Sequence, residues 1–146
     1  MSKNLFSPTM LKKYLGCKYI IFNEINEKKL NLKKIELNIN DKLRFEKGNQ
    51  HEKDYLKELK KSHKKVLDLK KSDLTREEKI SKTTQAMKEG WEIIHGGWLK
   101  KDKWTGEFDF LIINKELKSK FGDYSYEVID TKYSNKPKPD HIIQLG

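Results

Sequence analysis

The sequence predicts a mixed α/β (α+β) fold, and a change of pattern halfway along the chain is the main reason. In the first half, apolar residues recur at helical spacing and the segments carry helix-capping residues. From residue 91 onward, short β-prone runs alternate with glycine-containing turns, which is typical of strands. A chain of 146 residues fits one domain, so we expect residues 1–146 to form a single unit.

Three helices are predicted in the first ninety residues. The first follows Ser7, a suitable N-cap, and ends at Gly16. The second begins near Asp41, where leucine and tyrosine residues take helical spacing. The third is predicted to open at Ser72 and Asp73, where residues 75–78 resemble a capping box, and to stop at Gly90.

The strands are predicted from alternation and from the turns between them. Residues 18–23 are apolar and β-prone but too short to assign to a helix or a strand. The last four predicted strands follow one another as a β-meander, and Asp140 is a candidate cap for a final helix. The predicted strands are 66–69, 91–95, 98–100, 107–114 and 124–133.

The charge of the chain favours a polyanionic partner. The formal net charge is +10, and 30 of the 32 basic residues are lysine. Each phosphate that a lysine neutralises releases counterions and adds affinity. However, a lysine excess with only Arg44 and Arg76 as arginines is also typical of a genome with biased nucleotide composition. Charge alone therefore leaves nucleic-acid binding open.

Cysteine content and hydropathy restrict the class of protein further. Cys17 is the single cysteine, so the chain cannot form an internal disulfide or hold a cluster through several of its own thiolates. No apolar run approaches the roughly 18 residues that cross a bilayer, and the N-terminus lacks a signal-peptide pattern. We therefore expect no membrane partner and a cytoplasmic location, which for a viral protein would be the host cytoplasm.

Two acidic residues on neighbouring predicted strands are the first candidates for chemistry. Asp130 and Lys132 share one face of the strand 124–133, which in most proteins is an ordinary ion pair. Asp109 lies between two phenylalanines, where burying a carboxylate is costly unless it is paired or bound to a metal. If the two strands form a hairpin, Asp109 and Asp130 converge, and a divalent cation would relieve their repulsion. Lys132 could then stabilise phosphate charge.

Five short motifs occur in an order that resembles the PD-(D/E)xK nuclease superfamily, most closely its RecB-like branch, which is related to CRISPR-adaptation nucleases. The resemblance that they define extends over nearly the whole chain. They are the N-terminal segment Ser7–Cys17, Gly48-Asn49-Gln50-His51-Glu52, Gly106-Glu107-Phe108-Asp109, Asp130-Thr131-Lys132 and Gln144-Leu145.

This resemblance implies a restriction-endonuclease-like core, a central mixed β-sheet flanked by helices, and metal-dependent hydrolysis of DNA phosphodiester bonds, by exonuclease or endonuclease action. It implies Mg²⁺ or Mn²⁺ as the cofactor. It also implies a supporting acid at Glu52. The implied metal ligands are His51, Asp109, Asp130 and the backbone carbonyl of Thr131; the implied catalytic residues are Asp109, Asp130, Lys132 and Gln144.

The chain departs from the family pattern in two places. Some relatives hold an iron–sulfur cluster with four cysteines, but only Cys17 is present, so we expect no iron–sulfur cluster. Relatives also continue beyond the Gln-Leu motif, whereas this sequence stops at Gly146. We expect either a trimmed or naturally minimal core, or a partner that supplies the remainder.

Alternatives remain for several residues and for the function. Without the resemblance, His51 is an ordinary solvated or core histidine, and His63 and His95 are structural. Trp104, flanked by lysines in a turn, is the best candidate of the three tryptophans for contact with DNA. His141 is a weaker candidate for contact with phosphate. A catalytically silent nucleic-acid-binding module, or a recruitment module for a helicase or recombinase subunit, is the competing hypothesis. The oligomeric state is left open.

Overall fold

The computed structural model describes residues 5–33, 35–134, 136 and 138–145, without the side chains of residues 140, 143 and 144. The described residues form helices and short strands in a mixed α+β order. In chain order the elements are α1 (Pro8–Gly16), α2 (Lys18–Asn26), α3 (Ile39–Ser62), β1 (Val66–Asp68), α4 (Arg76–Lys88), β2 (Ile93–His95), β3 (Trp98–Lys101), β4 (Trp104–Glu107), β5 (Phe110–Asn114), β6 (Ser125–Ile129) and α5 (Pro139–Leu145).

The caps predicted at Ser7 and at 75–78 are confirmed, whereas Asp140 lies inside α5 and does not precede it. The Ser7 side chain accepts a hydrogen bond from the backbone N–H of Met10 at 3.1 Å and caps α1. Thr75 and Glu78 form the reciprocal capping box of α4, which begins at Arg76 and not directly after Ser72 and Asp73. Helix α3 runs through Gly48 without a break. The cost of a helical glycine, about 1 kcal/mol relative to alanine, is small beside the packing of the buried face of α3.

The central sheet is mixed, with strand order β1-β2-β5-β6. Strand β1 pairs with β2 in parallel, and the other two pairings are antiparallel. The β-meander prediction is wrong, because β3 and β4 form a separate hairpin and β2 pairs with β5. The chain leaves the sheet at Gly96, whose φ of +64° is unfavourable for residues with a side chain. A Cβ at Gly96 would also lie 2.7 Å from the Cα of Lys70.

The strands that carry the two acids are shorter than predicted. Between β4 and β5 the chain bends at Asp109, and β6 ends at Ile129. Phe110 and Ile129 are the last paired residues of β5 and β6, so Asp109 and Asp130 are the next residues beyond that pair. Both acids therefore emerge from the same end of the same strand pair, as the hairpin hypothesis required.

The sheet has a packed core on each face. Ile93 and Phe110 pack with leucines of α3, whereas the adjacent residues Ile94 and Leu111 pack with Ala86 of α4. Because neighbouring strand residues point to opposite faces, α3 and α4 cover the two sides of the sheet. In the part of the chain that the structure describes, no helix is both long and apolar enough to cross a bilayer.

Candidate functional site

Asp109 is held in place by the residue that follows Asp130. Its Oδ2 accepts hydrogen bonds from the Thr131 backbone N–H at 2.8 Å and from the Thr131 hydroxyl at 2.9 Å. The Thr131 backbone N–H thus donates to the Asp109 side chain and not to a backbone carbonyl of the neighbouring strand. This contact ends the ladder and fixes the Asp109 carboxylate beside the Asp130-Thr131-Lys132 segment.

Asp130 and Lys132 form the ion pair that the alternation predicted. The Lys132 ammonium donates to Asp130 Oδ1 at 2.9 Å and lies 2.7 Å from Oδ2. The second contact is charge proximity only, since its alignment does not make a hydrogen bond: Oδ2 is buried and has no hydrogen-bond partner among the described residues. The Asp130 side chain is only 17% exposed. The adjacent Lys132 ammonium stabilises the charge of this partly buried carboxylate.

A cleft of about 490 Å³ opens between these residues and helix α3. Its sheet side is formed by Asp109, Thr131 and Lys132. On the α3 side it is lined by Gly48 and Glu52, together with residues of the first turns of the helix. A Cβ at Gly48 would meet nothing within 4 Å, so there is open space next to this residue on the α3 side of the cleft.

The structure brings Glu52 to this cleft, whereas His51 is not among its lining residues. His51 is exposed, and its ring lies edge-on to Tyr133 with 6.2 Å between centroids. Successive helical residues are rotated by about 100°, so His51 and Glu52 point in different directions from α3. Gln144 belongs to α5, but its side chain lies outside the described part of the structure.

A buried histidine that sequence reasoning treated as structural supports Glu52. His95 is 4% exposed, with Nε2 2.8 Å from Glu52 Oε1 and Nδ1 2.8 Å from Asp68 Oδ1. Each ring nitrogen of His95 therefore has a carboxylate partner. The ring stacks on Phe110, with centroids 4.7 Å apart. His95 therefore links β1 to α3 at Glu52, which lines the cleft.

Lys70 adds a cation to this acidic group. Its ammonium lies 3.3 Å from Glu52 Oε1 and 3.6 Å from Glu107 Oε1. Burial by itself would lower the pKa of Lys70, but the nearby charges of Glu52, Glu107 and Asp109 outweigh it and raise that pKa. Lys70 is therefore held in its charged form among these carboxylates.

The pKa of Asp68 shows the same balance with the opposite sign. Partial burial by itself would raise the pKa of Asp68, but the hydrogen bond and charge of His95 outweigh it, and the Lys70 backbone N–H adds to the effect. The net effect is a pKa of Asp68 below its ordinary value. The Asp68 carboxylate is consequently stabilised in the ionised form that the His95 contact requires.

Some residues in and beside the cleft are suitable ligands for a hard divalent cation. Asp109 lines the cleft, and Asp130, the residue after Ile129, is paired with Lys132, which also lines it. Mg²⁺ commonly takes one or two carboxylates and fills its remaining positions with water and substrate phosphate. Among the described residues, no group of three or more His, Cys, Asp and Glu side chains is arranged as a metal site. The fit therefore rests on the two aspartates.

The geometry places Asp109, Thr131 and Lys132 in one cleft, with Asp130 paired to Lys132, and adds Glu52 from α3. It does not bring His51 to them. The network of Glu52, His95 and Asp68 was missed because its members are 43 and 27 residues apart and share no local pattern. Comparison of the chain with protein-family models, with curated proteins and with solved structures finds no match in any of the three.

Proposed function

We propose that this chain is a metal-dependent DNA nuclease with a restriction-endonuclease-like core of the PD-(D/E)xK, RecB-like type. One observation carries the proposal: Asp109 and Asp130 leave the same end of the β5–β6 pair, and Lys132 contacts Asp130. An ordinary surface ion pair would not require a second carboxylate beside it, and the Asp130 side chain is only 17% exposed.

In this proposal Asp109 and Asp130 hold Mg²⁺ or Mn²⁺. The bound ion would lower the pKa of a water molecule and offset charge on the phosphate. The net reaction adds water across a phosphodiester P–O bond, and the leaving oxygen gains a proton. Thr131 keeps Asp109 oriented through its amide and hydroxyl, whose hydrogen bonds leave the other carboxylate oxygen of Asp109 available.

In the proposed reaction, Lys132 also acts on the phosphate of the substrate. Its ammonium lies in the cleft and reaches Asp130, so a modest rotation of the side chain would place it against a phosphate oxygen. There it would stabilise negative charge that develops as the P–O bond breaks. Lys132 is 34% exposed, which leaves the ammonium accessible to substrate.

The other site residues enter the proposal with less support from geometry. Glu52 lines the cleft and is fixed by His95, so we assign to it the role of the supporting acid on α3. His51 as a metal ligand, the Thr131 carbonyl as a ligand and Gln144 as a substrate-positioning residue rest on the family resemblance. The proposals of a helicase or recombinase partner and of action inside the cell also rest on the family resemblance.

The decisive experiment is cleavage of end-labelled single- and double-stranded DNA in Mg²⁺ or Mn²⁺, with EDTA as the metal-free control. We expect cleavage by the wild type and a loss of about 1000-fold or more in Asp130→Ala, since residues that act as one catalytic unit lose most activity singly. Asp123→Ala is the matched control, because Asp123 is an exposed acid paired with Lys118 outside the cleft. Equal cleavage by Asp130→Ala and the control would refute the proposal.

The competing function is a nucleic-acid-binding or recruitment module without catalysis. The observation that favours it is the charge of +10 combined with many exposed apolar residues in the first 45 positions. If the wild type binds DNA and cuts none of these substrates with either metal, this function replaces the nuclease. A gain of cleavage on adding a helicase or recombinase subunit would instead identify a nuclease that depends on a partner.

A further inference from the structure

A second and larger cleft lies beside the acidic site. Its volume is about 970 Å³, and it is bounded by the β3–β4 hairpin on one side and by α4 on another. Its lining is mainly apolar and includes Met87, Leu99 and Phe108. The strands that lead to the two acids border it as well, since Glu107 and Val128 line the cleft and stand two residues before Asp109 and Asp130. The chain segments that carry the two acids therefore contribute to the lining of both clefts.

Trp104 is the aromatic side chain that opens onto this cleft from the hairpin. It is 45% exposed, although large aromatic residues usually lie deeper. The Phe6 ring lies 5.7 Å from the Trp104 ring at an interplanar angle of 48°. Phe6 also donates a backbone hydrogen bond to the Lys103 carbonyl at 2.7 Å and accepts one from Thr105 at 2.9 Å. These contacts hold the hairpin and the indole in position before any ligand arrives.

Basic residues surround the apolar lining of the cleft. Lys100 and Lys101 come from the hairpin, and Lys88 and Lys120 come from other elements. Of the described residues that line the cleft, Glu107 is the one acid, and its carboxylate lies 3.6 Å from the Lys70 ammonium. The cleft thus combines an aromatic platform with a positive rim, which is complementary to bases and phosphates together.

We propose that this cleft binds an unpaired nucleic-acid strand, with a base stacked on Trp104 and phosphates on the surrounding lysines. The proposal rests on the proposed function for its direction, because the strand would continue from Trp104 towards Asp109 and Asp130. Trp104 is then a specificity-determining residue. Bases in a duplex are stacked on one another and cannot use the indole, whereas lysines attract the phosphates of both forms.

The test measures binding without cleavage. Fluorescence anisotropy in EDTA compares a labelled oligothymidylate with a hairpin duplex of equal charge, for the wild type, Trp104→Ala and Trp104→Phe. We expect Trp104→Ala to weaken binding of the unpaired strand about tenfold and binding of the duplex less than twofold, because a lost stacking contact affects unpaired bases. Trp104→Phe, which keeps a ring, should retain part of the affinity. Tyr19→Ala is the matched control, an exposed aromatic on α2 outside the cleft.

Each outcome separates this proposal from the nuclease proposal. Equal affinity of the wild type and Trp104→Ala for the unpaired strand would overturn the stacking site, whether or not DNA is cut. An equal loss on both ligands would overturn it too, since the cleft would then only attract phosphate. Selective loss in EDTA supports the stacking site even if the wild type cuts nothing in Mg²⁺, a result that would defeat the nuclease proposal alone. Circular dichroism of each variant verifies that a loss of binding is not a loss of fold.

Discussion

The sheet region and the N-terminal helices differ sharply in how they are buried. Every buried side chain among the described residues lies between positions 52 and 111. Helices α1 and α2 contain no buried residue, and the first turns of α3 are also exposed. Many apolar side chains there face solvent, including Tyr19, Phe22 and Ile25. Both regions contain many apolar residues, and their burial is what separates them.

This difference bears directly on the site. Asp109 stands between the buried Phe108 and Phe110, so packing fixes its position, and Asp130 follows Ile129, which is half-buried and pairs with Phe110. The opposite wall of the acidic cleft includes Asp41, Arg44 and Phe45 from the exposed part of α3. One wall is thus anchored by the core, and the other by few buried contacts. An apolar surface of this extent is typical of a region that contacts another molecule.

The largest effect on stability is expected from truncating the sheet core. Phe110 is fully buried and contacts Tyr55 and His95 through its ring. Phe110→Ala should lower the free energy of unfolding by about 3–5 kcal/mol, because a cavity replaces the ring. Urea denaturation followed by circular dichroism measures it. A loss below about 1 kcal/mol would mean that the sheet region is not the stable part of the chain.

An intermediate effect is expected from the buried polar network, and it should depend on pH. Asp68→Asn weakens a charge-assisted hydrogen bond to His95, at a cost of about 1.5 kcal/mol at pH 7. The pKa of Asp68 is lowered in the folded protein, so the ionised carboxylate stabilises the fold above the unfolded pKa of about 3.9. That stabilisation is lost as pH falls through the folded pKa.

The stability difference between wild type and Asp68→Asn should therefore be fully present at pH 7 and shrink as pH falls below about 4. Urea unfolding at a series of pH values provides the measurement. His63→Asn is a useful control, because His63 is on the surface at the end of α3 and touches neither Glu52 nor Asp68 in the contacts described. A difference that stays constant down to pH 2 would argue against an ionic contact at Asp68.

The smallest effect is expected from the same truncation in the other region. Phe22 lies on α2 and is 55% exposed. Phe22→Ala should change the free energy of unfolding by less than about 0.5 kcal/mol, as surface substitutions usually do. The pair Phe22→Ala and Phe110→Ala removes the same atoms from the two regions, which makes them matched controls. A cost above about 2 kcal/mol for Phe22→Ala would show that the apolar face of α2 is covered in solution.

Features that depend on neighbours in sequence were predictable. The caps at Ser7 and Thr75 are confirmed because a capping hydrogen bond joins residues three positions apart. The run 18–23 could not be assigned, and it is helical. Its local contacts include a hydrogen bond from the Asn26 side chain to the Phe22 carbonyl and an ion pair between Lys13 and Glu24. Neither contact can be predicted from the spacing of apolar residues, because polar side chains form both.

Features that depend on distant contacts were predicted only where alternation pointed to them. The adjacency of Asp109 and Asp130 followed from the assumption of a hairpin, which the pairing of β5 with β6 confirms. The pairing of β2 with β5 did not follow, since it skips an intervening hairpin. His95 offered no signal, because its two partners lie on α3 and β1 and only the folded chain brings the three together.

The pairing of Phe110 with Ile129 also determines where the chain can gain or lose residues. Adding or deleting one residue between Ser125 and Ile129 would shift Asp130 to the opposite face of the sheet and separate it from Asp109, because strand side chains alternate. The connection between β5 and β6, residues 115–124, could change in length without disturbing that pair, since it lies at the far end of both strands. Length variation among descendants of this chain should therefore accumulate in the connection and be excluded from β6.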